Sequence, residues 1–234
     1  MLARITRDAQ TLHSALIDLL FPPRCVNCKR VGSWFCPLCQ SSIEFIRAPY
    51  CRQCGRPDLE SPCHLCRQFP LTIDGMRAVA YFEGALRQAI HAFKYQRRVD
   101  LAPLWGEMLA VYARAESISY DVIIPIPLHR ERERARGYNQ AALLARALAA
   151  PRTAIIWEDA LTRTRATRPQ MELDAAERRA NVRDAFAASA RVRAHRVLLI
   201  DDVCTTGATM EACSVALKNQ GAQSVWGLAL ARGR

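Results

Sequence analysis

An α/β fold, with a mostly parallel sheet, helices on both faces and a small cysteine-rich region ahead of it, is what this 234-residue sequence predicts. Three observations carry that expectation. Eight of the ten cysteines fall between Cys25 and Cys66, as four CxxC pairs. Downstream of residue 70, short apolar strand-like runs alternate with helical segments, the pattern of parallel strands joined by crossover helices. One of those runs, VLLIDDVCTTGAT at 197–209, ends in two carboxylates and a turn of small residues, at the strand end where such sheets bind ligands. The chain therefore divides into an N-terminal helix and double ribbon over 1–70 and an α/β domain over 71–234.

In chain order, the segment 12–21 reads as an amphipathic helix interrupted by His13, Ser14 and Asp18. It is shorter than the roughly 18 apolar residues of a membrane span and lacks the small-residue cleavage site of an export signal. A reducing, cytoplasmic compartment and no membrane insertion are the expectation.

The cysteine pairs follow: Cys25/Cys28, Cys36/Cys39, Cys51/Cys54 and Cys63/Cys66. A CxxC turn brings two thiolates to one side of a tight loop, spaced like two vertices of a zinc tetrahedron, so four turns supply two four-thiolate zinc sites. Gly32 and Gly55, each lying between two pairs, fit zinc ribbons. Sequential pairing is the simplest arrangement. An interleaved pairing uses the same ligands, and so does an iron–sulfur cluster. Disulfides require an oxidising compartment. Four thiolates leave no open position on the metal, so the metal is expected to be structural. The ribbon region, poor in large apolar residues, is expected to unfold without it while the α/β domain persists. His64, inside the last pair, reads as a bystander.

Beyond residue 70, strands are predicted at 77–82, 121–126, 155–157, 197–201 and 224–230. Helices are predicted at 85–95, 101–114, 138–149 and 209–219, the last closed by Gly221. At 197–209 four apolar residues make a buried strand. Asp201 and Asp202 stand at its exposed end, and Thr205, Thr206, Gly207, Ala208 and Thr209 turn into a helix N-terminus. Such a turn aims several backbone N–H groups at one anion. Two carboxylates beside an anion cradle call for sugar hydroxyls, so the site fits a ribose 5-phosphate. Cys204 between them reads as a small buried residue.

This run resembles, almost position for position, the 5-phosphoribosyl 1-pyrophosphate (PRPP) motif of type I phosphoribosyltransferases. The resemblance implies a type I phosphoribosyltransferase-like sheet, with Asp201 and Asp202 on the ribose hydroxyls and Thr205 to Thr209 on the 5′-phosphate. The resemblance extends further along the chain: cysteine ribbons, HAFKY at 91–95, DVIIPIPLHRERERARGYNQ at 121–140, LTRTRATRPQMELDAAERRANVRDAF at 161–186, then the PRPP loop. That order resembles the ComF family of ComFC and GntX-like proteins. It implies a cytoplasmic protein that handles single-stranded DNA during natural transformation, alongside other competence proteins. The resemblance does not fix a reaction, so a catalytic phosphoribosyltransferase using Mg²⁺ and an unidentified acceptor stands as the alternative.

Between these motifs, Pro125 and Pro127 are expected to stiffen a loop leading into Arg130, Arg132, Arg134 and Arg136, which would aim guanidinium groups at a diphosphate. Arg136, beside Gly137, is the favoured pyrophosphate contact; Arg132 and Arg134 alternate with glutamates and also read as a solvated, self-paired face. Further pyrophosphate candidates are Arg163, Arg165 and Arg168, in a segment that reads as a mobile loop or a DNA contact. Lys94 joins them as one of only three lysines beside 30 arginines. His91 reads as a packed helix residue.

The formal charge is +11, and both parts are basic: nine basic against five acidic residues in 1–70, and 24 against 17 thereafter. An arginine-favouring genome would explain the preference for Arg over Lys, but not the net charge. A basic surface favours phosphate partners. Around the ribbons Arg24, Lys29, Arg30, Arg47, Arg52 and Arg56 are the DNA candidates. Trp34, Phe35 and Tyr50 read either as base-stacking platforms or as packing around the metal cores.

Overall fold

The computed structural model describes residues 22–150, 154–166 and 175–234. The helix expected at 12–21 and Arg168 lie outside the described residues. Five parallel strands form the sheet: β1 (Gly75–Tyr81), β2 (Val122–Pro125), β3 (Ile155–Ile156), β6 (Arg196–Cys204) and β7 (Ser224–Arg232), in the order β1-β7-β6-β2-β3. A separate antiparallel pair, β4 (Leu161–Arg163) with β5 (Phe186–Ala188), sits outside that sheet. The helices are α1 (Pro37–Ser41), α2 (His64–Gln68), α3 (Gly84–Tyr95), α4 (Ala102–Ala115), α5 (Arg130–Arg136), α6 (Gln140–Ala149), α7 (Ala175–Val182) and α8 (Ala208–Asn219).

Alternation along the strands splits the apolar residues into two cores, one per sheet face. Leu198, Ile200 and Leu228 meet Leu86, Phe93, Trp105 and Leu144 from α3, α4 and α6 on one side. Phe93 and Trp105 pack edge-to-face with centroids 5.0 Å apart, burial that adds about 0.5–1.5 kcal/mol beyond area alone. On the other face Val197, Leu199 and Val225 meet Met210, Cys213 and Leu217 of α8.

The cysteine region is built into this body. Cys25, Cys36 and Cys39 belong to the first core and Cys51, Cys54, Cys63 and Cys66 to the second, so the ribbons straddle the β1 edge of the sheet. Between them residues 44–46 cover that edge: Ile46 N–H donates to Val79 O (3.0 Å), and Tyr81 N–H to Glu44 O (2.9 Å). Unpaired strand edges invite aggregation, and this strip covers one. A ribbon region that unfolds alone, as the sequence suggests, is at odds with shared cores on both faces.

Candidate functional site

In the strand order, chain connections leave β2 and β6 in opposite directions, so the crevice between their carboxyl ends is the switch point where open α/β sheets bind ligands. Local chemistry opens it. The β2–β6 ladder runs to Pro125 opposite Ile200, and Ile126 N–H adds a last bond to Ile200 O (3.0 Å). Pro127 then has no N–H to continue. β6 goes on alone against β7, with Asp201 opposite Ala229 and Cys204 opposite Arg232. The strand therefore extends past the acid pair, where the sequence placed its end. Carboxylates disfavour strands, but the long partner β7 prevails. Asp202 is consequently buried, not at an exposed end.

A cleft of about 590 Å³ occupies the crevice. Its floor is Asp201, Asp202 and Val203, with Thr209 from the first turn of α8. Lys94, Tyr95 and Arg97 come from the end of α3 and the turn after it; Arg132, Arg136 and Arg163 bring further positive charge. Lys94 Nζ pairs with Asp202 Oδ1 at 2.9 Å. Asp201 Oδ1 accepts the Asp202 N–H at 2.8 Å. Burial, reinforced by the Asp202 charge, pushes the Asp201 carboxyl up to about 7 against the pull of Lys94. Gly207, at φ +82°, is the N-cap of α8, and the Ala208 N–H donates to Thr206 Oγ1 (3.4 Å). A side chain at Gly207 would stand 2.7 Å from Met76 Cε, so backbone and core touch there.

The RERERAR run is a helix, α5, rather than the expected loop, with Gly137 as its C-cap. Helical phase sorts its arginines: Arg132 and Arg136, four apart, share one face and line the cleft, while Arg130 and Arg134 are exposed. That spacing was the available signal for Arg132. Arg136 lies 5.2 Å from the Tyr95 ring centroid. Tyr138 OH donates to Phe93 O, and Asn139 both caps α6 and donates to Ile126 O (3.1 Å). The 91–95 and 126–140 motifs are thus tied together at one cleft.

Arg163 is half-buried over the Phe186 ring (5.4 Å), and burial lowers its pKa. Arg165 is not brought to the cleft: it donates to the carbonyls of Asn181 (3.2 Å) and Arg183 (2.9 Å). Tyr95 and Arg97 were missed. Tyr95 lies within the 91–95 motif but was assigned no role there, and Arg97 carried no motif. Cys204 is buried, as expected.

The cysteine sulfurs gather in two sequential groups, Cys25/Cys28/Cys36/Cys39 and Cys51/Cys54/Cys63/Cys66, each within 4.8 Å of one another. Cys28–Cys36 and Cys25–Cys39 are 3.5 and 3.6 Å apart, and Cys54–Cys63 and Cys51–Cys66 are 3.7 and 3.8 Å apart. A tetrahedron with Zn–S bonds of about 2.3 Å has S–S edges of about 3.8 Å, so both groups fit a zinc ion. All ten thiols are free of disulfides. At Cys25 and Cys51 burial opposes ionisation, but backbone N–H donors outweigh it and bring both down to about 6. Asn27 Nδ2 donates to Cys39 Sγ (3.3 Å), the outer-shell contact a thiolate site calls for. His64 is exposed and outside both groups.

Arg24, Lys29, Arg30, Arg47 and Arg52 are exposed and Arg56 is half-buried. The aromatic candidates are packed. Phe35 is buried, Trp34 lies 4.1 Å beneath Arg98, and Tyr50 donates to Glu116 (2.5 Å) with Arg77 over its ring. No helix among the described residues is long and apolar enough to cross a membrane.

Comparison with known proteins finds two family matches. Residues 16–69 match the double zinc ribbon domain family and residues 118–233 the phosphoribosyl transferase domain family. The chain is 33% identical over 218 residues to the DNA utilization protein YhgH of Escherichia coli O157:H7, covering 88% of this chain and 96% of that one. It is 30% identical over 225 residues to competence protein F of Haemophilus influenzae, covering 89% and 97%. With competence protein ComFC of Bacillus subtilis it shares 27% identity over 194 residues, covering 80% and 78%.

Proposed function

The chain belongs to the ComF family of double-zinc-ribbon proteins with a phosphoribosyltransferase domain, and on that premise we propose that it binds PRPP and handles single-stranded DNA in competence. The observation that carries the small-molecule half is the acid pair where β6 runs on beyond β2, paired only with β7, with Lys94 on Asp202 and Arg132 and Arg136 lining the same cleft. Asp201 and Asp202 take the ribose hydroxyls. The turn from Thr205 to Thr209 takes the 5′-phosphate on backbone N–H groups and the α8 dipole. Arg132, Arg136 and Arg163 take the pyrophosphate. Mg²⁺, arriving with PRPP, neutralises part of the diphosphate charge. Lys94 holds Asp202 in place before the ligand arrives.

The DNA half rests on the names of the relatives and on the exposed basic residues of the ribbons. Electrophoretic binding of labelled single strands, with and without PRPP, tests it. Salt-sensitive binding is expected, and a chain that ignores single strands at low salt would remove this half.

One observation favours a second reading, catalytic transfer. Asp201, with a carboxyl near 7 on the cleft floor, can accept a proton from an attacking amine or base nitrogen. In that reaction the bond from C1 to pyrophosphate breaks as the bond from C1 to the acceptor forms. A screen of nucleobases and amines that detects pyrophosphate release and product tests it, and no turnover with any acceptor would leave the protein as a PRPP-binding module.

A further inference from the structure

The second cysteine centre and the phosphate turn are joined by short, specific contacts that the first centre does not share. Each carbonyl between Cys51 and Gly55 that projects from the knuckle is held by the sheet. Arg52 O accepts from Arg77 Nη1 (2.8 Å), Gln53 O from the Met76 N–H (2.7 Å), and Cys54 O from Arg232 Nη2. Gly55, at φ +68°, permits the fit, since a Cβ there would be 2.3 Å from Met76 O. Two of these three residues also reach the phosphate turn. Met76 packs its thioether under Gly207, and Arg232 Nη2 also donates to Cys204 Sγ (3.5 Å), one residue before Thr205.

Arg232 is 2% exposed, and no carboxylate among the described residues pairs with it. A buried cation needs compensating charge. The Arg232 guanidinium instead lies on the Cys54 carbonyl of the second knuckle, where four thiolates around one divalent ion would supply surplus negative charge. We propose that the second ribbon, through Arg232 and Met76, is the strut that holds the phosphate turn in its binding shape, so that metal at Cys51/Cys54/Cys63/Cys66 controls affinity for PRPP. Arg232 and Met76 are positioning residues; neither lines the cleft. This rests on the reading that residues 205–209 hold a phosphate.

Two measurements on the full chain separate the strut from that reading. Amide hydrogen exchange without ligand reads the strut alone, in peptides covering 203–210. Cys63→Ser and Arg232→Met are expected to speed exchange there. Arg232→Met should do so with two zinc ions still bound by elemental analysis. Cys28→Ser, which removes a ligand of the first centre, should speed exchange only around 25–39. Titration with Mg²⁺ and PRPP then reads the consequence: about a tenfold loss of affinity in Arg232→Met, from one charged hydrogen-bonding group, partly recovered in Arg232→Lys. Unchanged exchange at 203–210 in Arg232→Met overturns the strut, as does equal acceleration there in Cys28→Ser. Faster exchange in a chain whose parent does not bind PRPP leaves the strut standing and removes the phosphate reading.

Discussion

The two ribbons offer the same four ligands and nearly the same sulfur spacings, yet they are attached to the molecule in different ways. The first is held by apolar packing: Phe35 and Ile43 join Val79, Leu86 and Phe93 in one core. The second packs into the other core with Ile73 and Met76, and adds polar contacts from Arg77, Met76 and Arg232, next to the turn at 205–209. Apolar packing carries no direction of its own, whereas hydrogen bonds to a fixed knuckle set distance and angle. Identical metal-binding motifs can therefore serve stability in one place and site geometry in another.

Removing both metals is expected to have the largest effect. Chelation should lower the melting temperature of the whole chain by more than about 10 °C, because structural zinc contributes on the order of 10 kcal/mol per site. Survival of an α/β transition at its original temperature, seen by calorimetry, would show the ribbons to be an appendage. A smaller effect isolates the first ribbon. Phe35→Ala should cost about 3–4 kcal/mol in denaturant unfolding and leave PRPP affinity within twofold. A matching drop in affinity would erase the distinction between the two attachments.

pH gives the next effect in size. The folded Asp201 carboxyl stands near 7, above its ordinary value close to 4. Its contribution to stability is therefore fully present below about pH 4 and is lost as pH rises through about 7. Ligand binding through the ionised carboxylate runs the other way: affinity for PRPP is expected to rise about tenfold from pH 6 to 8. In Asp201→Asn that rise should flatten, and an unaltered profile would assign it to another group. The smallest effect concerns DNA. Every single-strand phosphate left without its cationic side chain lowers the salt slope by about 0.7. Lys29→Glu with Arg30→Glu, set against Arg47→Glu with Arg52→Glu, shows which ribbon carries the strand; equal slopes in all variants would exclude both.

Much of this molecule is local in sequence, and that part was legible. CxxC spacing fixes ligand pairs because the turn itself is four residues long, and 197–209 names its own strand, acids and turn. The helices at 84–95 and 208–219 start within a residue of their expected positions. What failed depended on distant partners. The end of β6 was misplaced because β7, not local propensity, sets it. The pair β4–β5 escaped because an arginine-rich segment gives no alternation over three residues. Arg77 and Arg232 belong to no motif, yet they are buried with the second ribbon lying against them. No spacing rule reports that the two ribbons sit on opposite faces of one sheet.

That the acid pair and the turn after it hold a phosphoribosyl group is best tested by calorimetric titration of PRPP with Mg²⁺ into the parent and into Asp201→Ala/Asp202→Ala. Each carboxylate removed takes with it charge-assisted hydrogen bonds of about 1.5–3 kcal/mol, so binding by the parent and a drop of at least a hundredfold in the double variant are expected. A double variant that binds PRPP as tightly as the parent, with its fold intact by circular dichroism, would refute that assignment.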